Sequence, residues 1–299
     1  MLNRIGDFAQ ADRMTSLLLQ TQTRTRLTQA QISTGKVSNR FQDIAPNVER
    51  LIDVKVTLQA NQQFQESNDY SNRKLTVMEA AVSDLVDTAT RAQTLAIQRT
   101  NDGSAFPGMI GPEFEALLDQ AVALLNTDMD DRYLFGGSRT DEQPIVLDPN
   151  FANFGLPDDT YYQGDELDIT VRADLNIDIS HSMSANREGF QELIGGIRGL
   201  INGDVLDDPA ILESSLGLIH DSLGKIADYQ AELGTRQAQL DRINQRHTDA
   251  EVYLENRISE IEDVDITEAI TRLADDQVLL EGAMATIGRL NQLSLVDFL

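Results

Sequence analysis

Ser33-Thr34-Gly35-Lys36 is the stretch best suited to chemistry, an S-x-x-K in which a lysine one helical turn away would help activate a serine for acyl transfer. No K-T-G follows anywhere in the chain, so the rest of that active site is missing. Gly35-Lys36 also fits the end of a phosphate-binding loop, but Ala30 replaces its first glycine and Val37 stands where Ser or Thr would hold magnesium. His181, His220 and His247 are far apart, and none belongs to a ligand-spaced pair such as H-x-x-x-H. His247 reads instead as a partly exposed seam histidine that packs its ring. Glu260, Glu262, Asp263 and Asp265 lack the central glycine and the twelve-residue spacing of a calcium loop, and read as a solvated helix junction. No catalytic, cofactor-binding or metal-binding residue is therefore assigned, no cofactor is expected, and the chain is not expected to be an enzyme.

Composition narrows the class further. The absence of cysteine excludes disulfides, thiolate zinc sites and thiol nucleophiles. A net charge of -25 repels nucleic acid and anionic lipid at long range. That charge is uneven: residues 1–60 hold eight Lys or Arg against five acids, whereas residues 251–299 hold three Arg against eleven acids. The two ends thus carry opposite signs, which either attract each other or each other's neighbours or are merely solvated faces. Leu17-Leu18-Leu19 is the longest early apolar run, far short of a signal-peptide core or a membrane span. Neither Sec export nor membrane insertion is predicted, which leaves a cytoplasmic protein or export by a route that reads an uncleaved N-terminus. Few aromatics and no Trp suit long helices packed side by side, in an elongated shape.

The elements follow from periodicity. Leu75, Met78, Val82, Leu85, Ala89, Ala92 and Ala96 alternate steps of three and four, which predicts a helix with one buried stripe, running from near Pro46 to about Arg99. Asn101-Asp102-Gly103-Ser104 ends it. A second helix begins after Gly111 with Pro112 in its first turn, carries Phe114, Leu117, Leu118, Ala121, Leu124 and Leu125, and folds back antiparallel. Between Phe135 and Arg187 the period becomes two: Leu167, Ile169 and Val171, then Leu175, Ile177 and Ile179, predict half-buried strands in a small insert punctuated by Gly and Pro.

After Pro209 the helix returns, and Ile226, Leu233, Leu240, His247, Leu254 and Ile261 fall at seven-residue intervals, a coiled-coil seam. Arg236 and Arg257 interrupt a second track, which narrows it. The register breaks at Glu262-Asp263-Val264-Asp265, where Asp265 and Glu268 form a capping-box-like pair. Ile266, Ile270, Leu273, Gln277, Leu280, Met284 and Ile287 then make a fresh stripe. Met14, Leu18, Thr21, Thr25, Thr28 and Ile32 form its polar counterpart near the other end, an arm that needs a partner helix.

These residues carry a family resemblance. QISTGKVSNR (Gln31 to Arg40) resembles the L-S-T-G-K-R-I segment of flagellins and the hook-associated proteins related to them, and LNQLSLVDFL (Leu290 to Leu299) resembles the S-L-x-D-Y-L ending of the family's hook-filament junction members. Arg132-Tyr133-Leu134-Phe135-Gly136-Gly137-Ser138 resembles the junction members' R-Y-L-F-S-G-S, and Tyr162-Gln163-Gly164-Asp165 their Y-x-G-D. The family's P-S-D-D-P is replaced by the Arg40 to Pro46 stretch, so the turn entering the long helix is expected to differ from the family's.

The expected fold is mainly α, an elongated helical rod with antiparallel N- and C-terminal coiled-coil arms and a small β-containing insert. Its expected parts are an N-terminal assembly arm (1–45), the first half of a rod (46–135), the insert (136–188), the second half of the rod (189–261) and a C-terminal assembly arm (262–299). The resemblance implies a structural axial protein of the bacterial flagellum that joins hook to filament, with arms that are disordered in the free monomer and fold on assembly. A filament subunit is the alternative; a cytoplasmic scaffold or an exported cell-wall enzyme is more remote. It further implies copies of itself, neighbouring axial proteins (another hook-associated protein, flagellin) and an export chaperone as partners, and an extracellular location reached without a cleaved signal peptide. The assembly seam is assigned to Met14, Leu18, Ile32, Ile226, Leu233, Leu240, Leu254, Ile261, Ile266, Ile270, Leu273, Leu280, Met284 and Ile287.

Overall fold

The computed structural model describes residues 2–38, 47–101 and 108–296. The end of the first motif (Asn39 and Arg40), the 41–46 stretch, residues 102–104 of the expected helix break and residues 297–299 lie outside the described residues. In chain order come helices α1 (Leu2–Thr34), α2 (Val48–Asn101) and α3 (Gly111–Leu125), the short strands β1 (Asp128–Met129), β2 (Arg132–Tyr133), β3 (Thr170–Asp174) and β4 (Ile177–Ser180), and helices α4 (Glu188–Leu206), α5 (Pro209–Glu262) and α6 (Ile266–Val296). The chain forms two compact units: a terminal one of Met1–Ala60 with Ala250–Leu299, and a central one of Asn61–Asp249. The expected arm limits, 45 and 262, thus fall inside the terminal unit.

The central core follows the predicted stripe. Leu75, Met78, Val82, Leu85, Ala89, Ala92 and Ala96 of α2 are all buried, as are Ile219, Ile226, Leu233 and Leu240 of α5 at strict heptad spacing. The two helices run antiparallel, as pairs from Asn72–Asp241 through Glu79–Gln230 to Gln93–His220 record. α3 places Phe114, Leu118, Ala121 and Leu125 in the same core, and α4 adds Phe190, Leu193, Ile197 and Leu200. Asp204 of α4 fixes the start of α3, accepting from the Ile110 and Gly111 amides at 3.2 and 2.8 Å, where a carboxylate meets the positive end of the helix dipole. Arg99 of α2 donates to the same Asp204 at 2.6 Å.

Helix α4 has no clear periodic signal because Gly195, Gly196, Gly199 and Gly203 interrupt it. Those glycines are contact points. A Cβ at Gly196 would press on the Ile219 side chain and one at Gly199 would overlap Ser215 Oγ, so their absence lets α4 lie close against α5.

The insert packs within the central unit. β1 and β2 pair antiparallel, as do β3 and β4, the latter with a bulge at Arg172/Asp174. The expected alternation holds for Ile169, Val171 and Ile179, which turn inward together with Ala173. Leu167, Leu175 and Ile177 are in solvent, because β3 begins only at Thr170 and Leu175 sits at the hairpin turn.

Candidate assembly surfaces

In the terminal unit α1 and α6 lie antiparallel. The expected α1 stripe faces its partner: Met14, Leu18, Thr21 and Ile32 are half-buried, and Thr25 and Thr28 are buried. A seam so rich in hydroxyls needs them satisfied, and each is bonded locally: Thr21, Thr25 and Thr28 donate to the carbonyls of Leu17, Thr21 and Arg24. On α6 the inward face is turned slightly from the expected stripe. Ala269 and Asp276 are buried, Leu273, Leu280 and Ile287 are half-buried, and Ile266, Ile270, Gln277 and Met284 are exposed. Arg24 reaches across to hold the buried Asp276 carboxylate with two of its nitrogens.

The breaks in the two helical tracks meet. Gly35 ends α1 in the left-handed region at φ 72°, and its carbonyl accepts from Val264 N at 2.9 Å while Val37 N donates to the Glu262 carbonyl at 2.7 Å. Gln31 closes the turn by donating to the Val37 carbonyl at 2.7 Å. Glu262 takes two cations, Lys36 Nζ at 2.6 Å and Lys55 Nζ from the start of α2. Burial raises the Glu262 pKa, but the two lysine bonds outweigh it and leave the carboxyl below its ordinary value. The lysine of the S-x-x-K is thus committed to a carboxylate. The rest of the acidic cluster is occupied too: Glu260 pairs with Arg257, Asp263 accepts from Ser259 Oγ, and Asp265 caps α6 by accepting from the Thr267 and Glu268 amides at 2.9 and 3.1 Å.

The seam of α5 divides between the units. Ile226, Leu233, Leu240 and His247 are buried in the central one, and Leu254 and Ile261 are half-buried in the terminal one. His247 is buried rather than partly exposed, because β3 lies over it. Its Nε2 donates to the Ala173 carbonyl at 2.9 Å, Nδ1 lies against Asn61 Oδ1, and the ring stacks on Phe64 with centroids 5.6 Å apart. Asn68 donates to the same Ala173 carbonyl at 3.0 Å, so this polar layer ties α2, α5 and the hairpin to one register. His181, also buried, has its pKa lowered to about 4 by burial and by the charges of Lys74 and Arg236. His220 lies against Gln93. Among the described residues no three metal-ligating side chains converge, and no helix is long and apolar enough to cross a membrane.

The two quoted motifs of the insert meet as well. Asp165 accepts from the Ser138 amide at 2.7 Å and from its hydroxyl, which holds the carboxyl below its ordinary pKa, and Asp165 N donates to the Gly136 carbonyl at 3.2 Å. Gly137, at φ 67°, lies where a Cβ would overlap the Asp165 carbonyl oxygen. Tyr162 closes the loop by donating to that same oxygen. This knot, invisible as a contact in the linear order, explains why glycines stand at 136, 137 and 164.

What remains uncovered on the arms is apolar. Leu17, Leu19 and Leu27 of α1 and Ile266, Ile270, Val278, Leu279 and Met284 of α6 are all exposed. An open cleft of about 530 Å³, floored by Gly282 and Ala283, runs beside Leu17 and Val278.

The family model of the bacterial flagellin N-terminal helical region matches residues 5–140, and that of the C-terminal helical region matches residues 216–299. No curated protein sequence matches significantly. Solved structures of similar fold include FlgL from Bacillus cereus, at 21% identity over 69% of this chain and 98% of that one with a TM-score of 0.58. Hook associated protein-3 from Legionella pneumophila is 14% identical over 70% of this chain and 98% of that one, with a TM-score of 0.59. FlgL from Xanthomonas campestris is 16% identical over 69% and 99%, with a TM-score of 0.56. Matched at both ends over well more than half its length, the chain belongs to the bacterial flagellin family.

Proposed function

We propose that the protein is a structural axial subunit of the bacterial flagellum that joins hook to filament, polymerising through its two terminal helices. The observation that carries this reading is the arm pair: α1 and α6 already cover each other along a Thr- and Ala-lined seam and still present eight large apolar side chains to solvent. Each copy can bury those only against further helices of the same kind. Ile266, Ile270 and Met284 act in contacts between subunits, whereas Met14, Leu18, Ile32, Leu273, Leu280 and Ile287 act in the arm pair itself.

The junction role is favoured over the filament role by the RYLFGGS and YQGD motifs, which knot together here, and by likeness in fold to hook associated protein-3 from Legionella pneumophila. The partners under this reading are copies of the chain, the hook-associated protein and flagellin that flank it, and an export chaperone. It acts outside the cell as part of the flagellum and does no chemistry, its Lys36 and acidic cluster being spent on the helix joint. The test is deletion of the gene: assembled hooks bearing no filaments are expected. Complete junctions that lack only filament mass would assign the chain to the filament instead.

A further inference from the structure

A two-stranded hairpin is marginal on its own, so β3–β4 stays folded only by what ties it to the helices. Its polar ties include Arg236 of α5, which donates to the Ser182 carbonyl at 2.8 Å, and the Ala173 carbonyl, which accepts from Asn68 of α2 and His247 of α5 at 3.0 and 2.9 Å. Val171, Ala173 and Ile179 face inward, while Leu175 and Ile177 are left in solvent. His181 closes the hairpin at the end of β4, its amide donating to the Ile169 carbonyl at 2.9 Å. Its buried ring shares a shallow pocket with Ser67, Tyr70 and Ser71 of α2, and its enclosed Nδ1 finds no partner among the described residues. The two charges that act on the ring are both positive: Arg236, and Lys74 of α2, whose ammonium lies 4.8 Å from the centre of the Tyr70 ring. Arg132 and Asp130 of the β1–β2 turn stand near that lysine. The surrounding carboxylates are spent elsewhere or sit in solvent. Glu232 of α5 is held by Arg187 and Arg236, Asp168 accepts from the Ser180 and Ser182 hydroxyls, Asp174 pairs with Arg246, Asp178 pairs with Arg172, and Glu66 of α2 is exposed.

We propose that His181 is an acid latch: protonation of its ring releases the β3–β4 hairpin from α2 and α5, uncovering Ile243 and the Asn61–His247 layer beneath it. A neutral imidazole carries one N–H, whereas the imidazolium must donate from both nitrogens, and at Nδ1 no acceptor awaits it. Protonation also sets a third positive charge beside Lys74 and Arg236 in a site closed to water. Burial and those two cations hold the ring at a pKa of about 4, against an ordinary 6.5. The closed hairpin therefore keeps its full stability above 6.5 and loses this contribution progressively as pH falls to about 4. The latch belongs to a single chain, so it holds whether or not the subunit polymerises.

Hydrogen exchange of the full-length protein, corrected for the intrinsic pH dependence of amide exchange, tests it. Opening of residues 170–181 should rise about twentyfold between pH 7 and pH 5, as follows for a ring that titrates at 6.5 when released and about 4 when held. Residues 75–96 of α2 should stay unchanged. His181→Gln, neutral throughout, should remove the rise, and Lys74→Met, which takes away one of the two cations, should shrink it. A rise that survives in His181→Gln would assign the acid response to His247 or to the carboxylates, and a parent hairpin equally protected at both pH values would mean that no latch exists; either result overturns the proposal. Should His181→Gln leave the hairpin open already at pH 7, Lys74→Met decides, and a rise as large as the parent's overturns the proposal too. None of these readings bears on whether hooks lose their filaments, so the latch and the junction role fail separately.

Discussion

A missing methyl group shapes the insert. Gly137 sits at φ 67° against the Asp165 carbonyl oxygen, whereas Gly35, at φ 72°, has nothing within 4 Å of where a Cβ would stand. Gly35→Ala should therefore lose only the left-handed backbone preference, about 1 kcal/mol, while Gly137→Ala adds a steric overlap and should lose at least about 2 kcal/mol. Chemical denaturation of the two full-length variants checks the difference. Glu262 acts at the same scale through charge. Its depressed pKa means that its contribution is complete above its ordinary value of 4.5 and lost as pH falls through the folded value. Lys36, raised chiefly by its hydrogen bond to Glu262, contributes fully below its ordinary 10.5 and loses that contribution as pH rises through its folded value. Exchange protection of the Val37 and Val264 amides should thus be flat across neutral pH and fall in acid below 4.5, and Glu262→Gln should remove the acid step.

Helices carry the division between folding and assembly. Leu280 is half-buried toward α1, but Ile270 is 52% exposed on the same helix. Leu280→Asp should destabilise the arm pair by about 1 to 3 kcal/mol, and Ile270→Asp should leave the monomer within about 0.5 kcal/mol of the parent. Both should abolish filament attachment in cells; an Ile270→Asp strain with normal flagella would show that this face is not buried on assembly. What could be read in the linear order also sorts by element. The α2 stripe and the α5 heptads were legible because each residue reports the one face it buries. Helix α4 was not, since its glycines record the closeness of α5 and carry no apolar period. The β1–β2 turn was hidden for a related reason: Asp130 and Asp131 adopt φ of 56° and 59° where Asn-Gly would have announced it. On α6 the stripe was legible but not its rotation, because Asp276 enters the seam only by virtue of Arg24, two hundred and fifty-two residues away in the chain.

Over the whole molecule, the -25 charge sets the conditions under which copies meet. At 0.01 M salt the screening length is about 30 Å and repulsion between subunits reaches well past contact, whereas at 0.15 M it is about 8 Å. The critical concentration for polymerisation should therefore fall as salt rises over that range, measured by sedimentation; a rise would mean that attraction between unlike patches outweighs the net charge. The charge asymmetry of the two ends was visible in composition, but the joint that uses it, Lys36 and Lys55 on Glu262, required the fold to bring three distant residues together. The threonines of α1 have a kinetic consequence. Since Thr21, Thr25 and Thr28 donate to their own helix, drawing α1 away from α6 orphans none of those hydroxyls, while the Arg24–Asp276 pair must rehydrate. An arm of this kind should exchange one helical neighbour for another with that charged pair as its polar barrier, so the occupancy of self-paired and neighbour-paired states should follow the local abundance of neighbours.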